Sequence, residues 1–550
     1  MTNTPKTTYN QSPLPPQGQM MQPGLMPPGA VSAAVPPPPA MRKRPAPRGW
    51  RERWMRRFGM DTTVPLKRGE LTLPDWIPGK AIVVFFVAMF ACHIAFGYVP
   101  ALDLIMAACI SIIIFFAGGS AMLRSWHREG EKGFVRNIFI AGLALRLLWM
   151  LYCYLVFNPG HYGTDFGDGS DVVWYMPFAK DLAEWIRGNS AMSFSEIVDF
   201  HGSAIDDIGY PMWLAIGYAI WGDWSDVFVP MLIKCVVSAY CAICIYRVAQ
   251  RHFGEGAARI AAIFVCLNPN VIYWCGNMFK EAEMVFLCCL AVDNFDHVLS
   301  SGKQYTFKAL LPGILAGLAL MFFRTALGLV FFLAVFAHVV MSSRRVMSMG
   351  KKILAGLLVA LVLAVSMGDR IRTQSRELVE KVQSDSQGQN MEWRARQTEA
   401  SGRQQSFAKY ASAAVFAPLI FTIPFPTFCQ ANEAQLLQVQ LSGGNYIRNI
   451  LSFFVIILLL MMLISGEWRR HVFIIAYTCG YLMVLVMSAF AQSGRFHMPI
   501  WPMLMLFAAY GIQVAKVNVK LRRWFSVALV IEVVACLAWN WFKLKGRGMI

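Results

Sequence analysis

Charge is scarce in this chain. Only 15% of its 550 residues are charged, 56% are hydrophobic, and the mean hydropathy is +0.46. A soluble protein of this length exposes far more charge. Many apolar runs also reach the roughly 20 residues that a helix needs to cross a bilayer. The composition therefore excludes an ordinary soluble protein and predicts a multi-pass membrane protein.

Several common motifs are also missing. The sequence has no Walker motif, Rossmann fingerprint, H-E-x-x-H or G-x-S-x-G. These absences argue against a nucleotide-driven pump and against a serine or zinc hydrolase. Most cysteines fall inside apolar runs and only Cys429 falls in a predicted outer loop, so we expect no disulfide framework.

The first 79 residues differ from the rest. Residues 1–45 are rich in Pro, Gly, Gln and Met without periodicity, which predicts a disordered tail. The stretch that follows is strongly basic, and basic flanks stay in the cytoplasm. It is either a topology signal or an anchor on anionic lipid. Because basic charge beside spans usually serves the membrane, we expect no nucleic-acid partner.

The apolar runs predict an all-α polytopic fold with about thirteen transmembrane helices. The predicted spans are 80–98, 101–122, 136–157, 226–247, 257–275, 281–299, 308–323, 325–341, 352–367, 447–465, 471–490, 496–516 and 524–543. With a cytoplasmic N-terminus, six basic connections, "SGEWRRH" among them, all fall inside. The predicted location is the inner membrane of the cell. The half-apolar stretch 209–222 would invert this order as a span, so it is predicted to be a short interfacial or re-entrant helix.

This topology leaves two long segments on the extracytoplasmic side, 158–208 and 368–446. The first lies within an N-terminal transmembrane module, 80–367. The second separates that module from a C-terminal one, 447–550. Loops of this length are uncommon unless they have a function. In the first segment the acids clearly outnumber the bases.

Ionisable residues collect where the spans meet this outer side. Because an ionisable side chain in or near the membrane costs free energy, such residues are usually functional. A cluster of acids that faces several cations suits a site that removes a proton and holds an anionic phosphate. The candidates are Asp165, Asp168, Asp171, Lys280, Glu281, Arg324, Arg495 and His497.

Five stretches in order carry a resemblance to a known family. They are "DVVWYMPFAKDLAEW" with Asp171, Tyr175 and Ala179, "GYPMWLAIGYAIWG", "CAICIYRVAQRHFGEGAAR", the junction from Pro269 to Lys280 and Glu281, and "GRFHMPIWP". Over 136–300 and 490–516 the chain resembles the integral-membrane glycosyltransferases of the GT-C fold. The resemblance is to the bacterial branch related to protein O-mannosyltransferases and lipid A aminoarabinose transferases.

The resemblance implies a reaction and roles for the candidates. The donor would be a sugar on a polyprenyl phosphate in the outer leaflet, and the acceptor a glycan, lipid or protein. An aspartate would act as base on the acceptor hydroxyl, with Asp171 the first candidate, Asp168 the second and Asp165 the third. The cations that would hold the phosphate are Lys280, Arg324, Arg495 and His497.

The resemblance does not imply a particular cofactor. Some relatives use a divalent metal in the first loop, which leaves a metal open here. The D-x-x-D-x-x-D spacing does not match a calcium loop.

Two other functions stay open. One is a secondary transporter or flippase for a lipid-linked sugar, although the internal repeats typical of transporters are missing. The other is a polysaccharide polymerase or ligase that uses outer-loop arginines, such as Arg394, Arg396 and Arg403 in the second segment.

The topology can be tested by labelling. A cysteine introduced at Ser195, in the first segment, should react with a membrane-impermeant thiol reagent in intact cells. Labelling only after the membrane is broken open would place this segment in the cytoplasm.

Overall fold

The computed structural model describes residues 73–97, 102–157, 159, 171–201, 207–221, 227–300, 307–341, 419–429, 442–487, 493–516 and 518–545. Within these ranges the regular elements are helices and no strand occurs. The predicted all-α polytopic fold is thus confirmed. The count of thirteen spans stays a prediction, because the predicted span 352–367 lies outside the described residues.

The helices follow the predicted spans closely. In chain order they are α1 (Trp76–Phe96), α2 (Leu102–Ile113), α3 (Gly119–Ser125), α4 (Glu131–Tyr152), α5 (Val172–Ile186), α6 (Phe194–Phe200), α7 (Gly209–Trp221), α8 (Phe228–Phe253), α9 (Glu255–Leu267), α10 (Pro269–Tyr273), α11 (Glu281–Ser300), α12 (Phe307–Phe323), α13 (Thr325–Met341), α14 (Ser442–Ser465), α15 (Val472–Met487), α16 (Gly494–His497), α17 (Trp501–Lys516) and α18 (Val519–Lys545). A π-helical turn, Ile114–Gly118, joins α2 to α3, and another, Cys153–Phe157, ends α4.

Seven of the described helical stretches are long and apolar enough to cross a membrane. They are Trp76–Phe96, Ile105–Ser125, Glu131–Phe157, Phe228–Phe253, Gly443–Ser465, Gly494–Lys516 and Lys520–Lys545. Three shorter apolar helices, α12, α13 and α15, add to them. The predicted span over α11 is also helical, but it carries acidic residues at both of its ends.

One predicted span is broken. The sequence predicted a single helix over 257–275, whereas the structure has α9 and α10 bent by 44° relative to each other. The break lies at Asn268, whose side-chain oxygen accepts hydrogen bonds from the backbone N–H groups of Asn270 (2.9 Å) and Val271 (3.1 Å). Pro269 takes the first position of α10, where its missing N–H costs nothing. An Asn cap followed by Pro therefore starts a new helix inside an apolar run.

The bundle has a clear centre. The stretch Gly494–Lys516, which ends in α17, buries 89% of its most apolar window, against 28% for both Trp76–Phe96 and Glu131–Phe157. The outer helices expose large apolar side chains, such as Ile94 on α1 and Leu148 on α4. Apolar side chains that face outward all round a bundle are expected where lipid is the solvent.

The helices α6 and α7 both pack against α5. The buried face of α5 recurs at helical spacing, with Tyr175, Phe178 and Leu182 among its members. The helix predicted at 209–222 is observed as α7, which packs along α5. Arg187 donates to the carbonyl oxygen of Tyr218 at 2.5 Å, which fixes the last turn of α7 against α5.

The described piece of the second long segment is buried. Residues 419–429 pack between α1, α14 and α18, and the Phe428 ring lies 5.6 Å from that of Phe85. The Asn540 side-chain oxygen accepts hydrogen bonds from the backbone N–H groups of Phe428 (2.8 Å) and Cys429 (3.0 Å). This apolar stretch, predicted as loop, is thus part of the packed bundle, and α14 begins at Ser442, five residues before the predicted span.

The contact between α14 and α17 should tolerate no added methyl group. A Cβ at Gly511 would lie 2.5 Å from the backbone oxygen of Phe454, whereas one at Gly79 on α1 would meet nothing within 4 Å. We expect Gly511→Ala to lower the apparent melting temperature in detergent, because overpacking costs about 1–3 kcal/mol. Gly79→Ala is the matched control and should melt like wild type. Equal melting of both variants would contradict the packing described here.

Candidate functional site

Asp171 precedes the first turn of α5. Its carbonyl oxygen accepts hydrogen bonds from the N–H groups of Trp174 (3.2 Å) and Tyr175 (3.1 Å). Its carboxylate does not cap the helix. It reaches across to Arg495, whose Nη2 donates to Oδ2 at 2.5 Å. The side chain is 39% exposed, so the carboxylate is held in place yet accessible.

Arg495 bridges two carboxylates. While Nη2 contacts Asp171, Nε donates to Oε1 of Glu281 at the start of α11. Glu281 is fully buried. The guanidinium also lies over the Phe279 ring, 4.7 Å from its centroid. The planar fork of arginine can serve two acceptors in this way, which the single ammonium of lysine cannot do with the same geometry.

A second ion pair lies beside the first. The Lys280 ammonium donates to Asp207 Oδ1, and it lies 5.9 Å from the centroid of the Tyr175 ring. Desolvation raises the pKa of Asp207, although Lys280 opposes the shift. Burial, reinforced by the carboxylates of Asp207, Asp171 and Glu281, raises the pKa of Tyr175. The Tyr175 hydroxyl therefore stays neutral in a site that holds three acids.

Arg324 differs from the other two cations. Its Nη1 donates to the Tyr481 hydroxyl at 3.1 Å, and its guanidinium lies 4.4 Å from the centroid of the Phe496 ring. Among the described residues it has no carboxylate within 4.0 Å. His497, next to Phe496, is fully buried. Of the predicted phosphate-binding lysine and arginine side chains, Lys280 and Arg495 thus have acidic partners in the described part of the chain, and Arg324 does not.

The structure brings most of the sequence candidates together. Asp171, Tyr175, Lys280, Glu281 and Arg495 lie in one cluster of contacts, and Arg324 and His497 adjoin it through Phe496. Their chemical roles stay predictions. The remaining candidates and the alternative arginines, which are Asp165, Asp168, Arg394, Arg396 and Arg403, lie outside the described residues.

Sequence reasoning missed two residues of this cluster. Asp207 is one of many acids in the first long segment, and nothing in the sequence singles it out as the partner of Lys280. Lys234 is fully buried in α8 and contacts the turn before Lys280. A usable signal existed for Lys234, because a lysine inside the apolar run "FVPMLIKCVVSAY" is an ionisable group within a span.

Several buried polar atoms at the floor of the cluster have no hydrogen-bond partner among the described residues. They are Oε2 of Glu281, both polar side-chain atoms of Asn277, and Nε1 of Trp274. All three residues are at most 2% exposed. Buried polar atoms are nearly always hydrogen-bonded in folded proteins. A carboxylate oxygen, an amide and an indole N–H in this state suit the recognition of a polar ligand.

The carboxylates of the cluster are engaged by cations. Within the described ranges, no group of three or more His, Cys, Asp or Glu side chains is arranged to hold a metal ion. Asp171 and Glu281 share Arg495, and Asp207 pairs with Lys280. The cations thus hold each of these three carboxylates in a fixed orientation.

The bridge should behave as one unit in stability. Arg495→Met leaves the buried Glu281 carboxylate without its cation, and such losses commonly cost about 3–5 kcal/mol. We therefore expect a large fall in the apparent melting temperature in detergent. Adding Glu281→Gln should restore part of it, because the uncompensated charge disappears. A double variant that melts below Arg495→Met would show that the two residues are not coupled.

The comparisons with known proteins give one family match. Residues 199–371 match the model of the Alg9-like mannosyltransferase family, a glycosyltransferase family with the GT-C fold. No curated protein and no solved structure matches the chain. The matched stretch contains Asp207, Lys234, Lys280, Glu281 and Arg324, but it begins after Asp171 and ends before Arg495.

The match confirms the resemblance to GT-C glycosyltransferases over residues 199–371, through an Alg9-like family rather than the bacterial branch that the motifs suggested. Together with the apolar helices it supports a multi-pass membrane protein. It also supports a membrane glycosyltransferase that uses a lipid-linked sugar donor.

Proposed function

We propose that this protein transfers a hexosyl or pentosyl group from a polyprenyl-phosphate donor to an acceptor hydroxyl at the extracytoplasmic face of the inner membrane. The observation that carries the proposal is the bridge from Asp171 through Arg495 to Glu281. It places a partly exposed carboxylate beside the helices that match a glycosyltransferase family. The acceptor is a glycan, lipid or protein that presents a hydroxyl at this site.

The reaction needs one proton acceptor and one leaving group. Asp171 removes the proton from the acceptor hydroxyl while the acceptor oxygen forms a bond to the anomeric carbon of the sugar. The bond from that carbon to the phosphate oxygen breaks, and the polyprenyl phosphate leaves with the electron pair. A base must come within about 3 Å of the proton that it removes.

The contacts of Asp171 favour this role. The guanidinium on Oδ2 fixes the direction of the carboxylate. Among the described residues Oδ1 accepts no hydrogen bond, and the side chain remains partly exposed. One oxygen is thus held by Arg495 and the other is open to an acceptor.

The cations would hold the phosphate. Arg324 is the first choice, because it contacts a hydroxyl and an aromatic ring but no described carboxylate. Lys280 and Arg495 lie close by and add positive potential, and His497 lies buried behind them. Preorganised cations stabilise the charge that builds up on a leaving phosphate.

Replacing the proposed base should stop the reaction. Asp171→Asn is nearly isosteric but cannot take up the proton, and loss of a general base commonly costs on the order of 10²–10⁴ in rate. Labelled sugar transfer from a panel of undecaprenyl-phosphate sugars, measured in membranes and normalised to protein amount, checks this. Asp181→Asn, the same change on the same helix at a residue bound to His201, should keep the wild-type rate.

The outcomes separate the alternatives. If Asp171→Asn keeps the wild-type rate while Asp168→Asn is inactive, another loop acid is the base. If wild-type protein moves the lipid-linked sugar across the bilayer but transfers none to any acceptor, the transporter hypothesis replaces the glycosyltransferase hypothesis.

A further inference from the structure

A single buried ammonium group connects the helices near Asp171 to the turn before Lys280 and Glu281. Lys234 in α8 is fully buried. Its Nζ donates to the Tyr210 hydroxyl at 3.2 Å and to the carbonyl oxygens of Asn277 at 2.8 Å and Phe279 at 2.6 Å. A lysine ammonium has three donors, and all three are used. The Glu283 carboxylate lies 3.7 Å away and balances the charge.

On one side Lys234 reaches the helices that carry Asp171. Tyr210 lies in the first turn of α7, and its ring meets that of Tyr175 edge to face, with centroids 5.0 Å apart. Tyr175 lies one turn after Asp171 on α5, and its backbone N–H donates to the Asp171 carbonyl. The position of Tyr210 therefore bears on the position of the proposed base.

On the other side Lys234 holds the turn that leads into α11. The carbonyls of Asn277 and Phe279 belong to the turn directly before Lys280 and Glu281. No described helix spans this turn, which lies between the short 3₁₀ helix Trp274–Gly276 and α11. The two hydrogen bonds from Lys234 are thus a direct constraint on the backbone that presents Glu281 to Arg495.

We propose that Lys234 is a positioning residue that sets the separation of Asp171 and Glu281, the two carboxylates that Arg495 bridges. The inference rests on the proposed function of this site. An apolar side chain of similar volume would fill the space, but it could not hold two carbonyl groups and a hydroxyl in one geometry. Burial of an ammonium is costly unless it is fully hydrogen-bonded, and here every donor is spent on an element of the site.

The test compares two buried cations. Lys234→Met keeps most of the side-chain volume and removes the three hydrogen bonds. Misplacement of catalytic groups by about 1 Å can cost on the order of 10²-fold, so we expect kcat per folded protein to fall about tenfold to a hundredfold by this mechanism. The KM for the donor should change by less than about twofold, since the remote binding contacts remain.

Arg146 supplies the matched control. It is also fully buried, and it donates to Ser238 Oγ at 2.8 Å and to the Cys266 carbonyl at 3.1 Å, neither of which belongs to the cluster or to the turn before α11. Arg146→Met should lower the melting temperature but leave kcat per folded protein unchanged. Equal kcat values for Lys234→Met and Arg146→Met would overturn the positioning role.

A double variant and hydrogen exchange separate positioning from general damage. In an Asp171→Asn background, Lys234→Met should reduce the residual rate by less than about twofold, because the group that it positions is already lost. An undiminished further loss would contradict the inference. Amide exchange over residues 277–281 should speed up in Lys234→Met and not in Arg146→Met, and unchanged exchange would refute the tether even where no sugar transfer is detected. Absence of transfer by the wild type would count against the proposed function alone.

Discussion

An ionised side chain inside an apolar bundle needs an opposite charge or a full set of hydrogen-bond partners, and this constraint organises the protein. Arg495 and Glu281 are separated by 214 residues in the chain, and Arg495 and Asp171 by 324. Each would be costly alone in a region of low polarity. Their mutual contact therefore fixes α5, α11 and α16 relative to one another more specifically than apolar packing does. The site follows from this pairing, since the same contact that stabilises Glu281 also aims the carboxylate of Asp171.

The acids of α11 repeat the pattern at its other end. Asp293 and Asp296 both pair with Arg251 of α8, at 2.7 Å and 2.6 Å. Asp296 also contacts His252, whose other ring nitrogen lies 2.7 Å from His471. A helix anchored by ion pairs at both ends cannot slide along its axis without breaking one of them. The axial position of Glu281 is thus determined at both ends of α11, and the proposed site inherits that rigidity.

The sequence predicted the helices well because their signal is local. Apolar runs of sufficient length and basic connections located every described span to within a few residues. The break before Pro269 was missed because an apolar run continues through it, although the Asn-Pro pair is a visible start signal. The buried course of 419–429 was missed for another reason. Its burial depends on Asn540 of α18, and no local pattern connects two such distant residues.

The candidate site could be predicted only in part, and the reason is again the range of the interactions. Residue type and depth in the membrane identified Asp171, Lys280, Glu281 and Arg495, but they did not indicate which carboxylate meets which cation. That pairing limits the chemical role that each residue can have. From the sequence Arg495 was expected to hold phosphate, and in the structure it contacts two carboxylates, which is why we propose Arg324 as the first phosphate-binding cation.

The two ends of α11 differ in one respect that bears on function. At the end with Asp293 and Asp296, all four carboxylate oxygens contact a basic side chain among the described residues. At the end with Glu281, one buried carboxylate oxygen and polar side-chain atoms of the neighbouring Asn277 and Trp274 have no hydrogen-bond partner within the described ranges. The end with Glu281 is also the end at which the Asp171 carboxylate is exposed, and the proposed function uses both features.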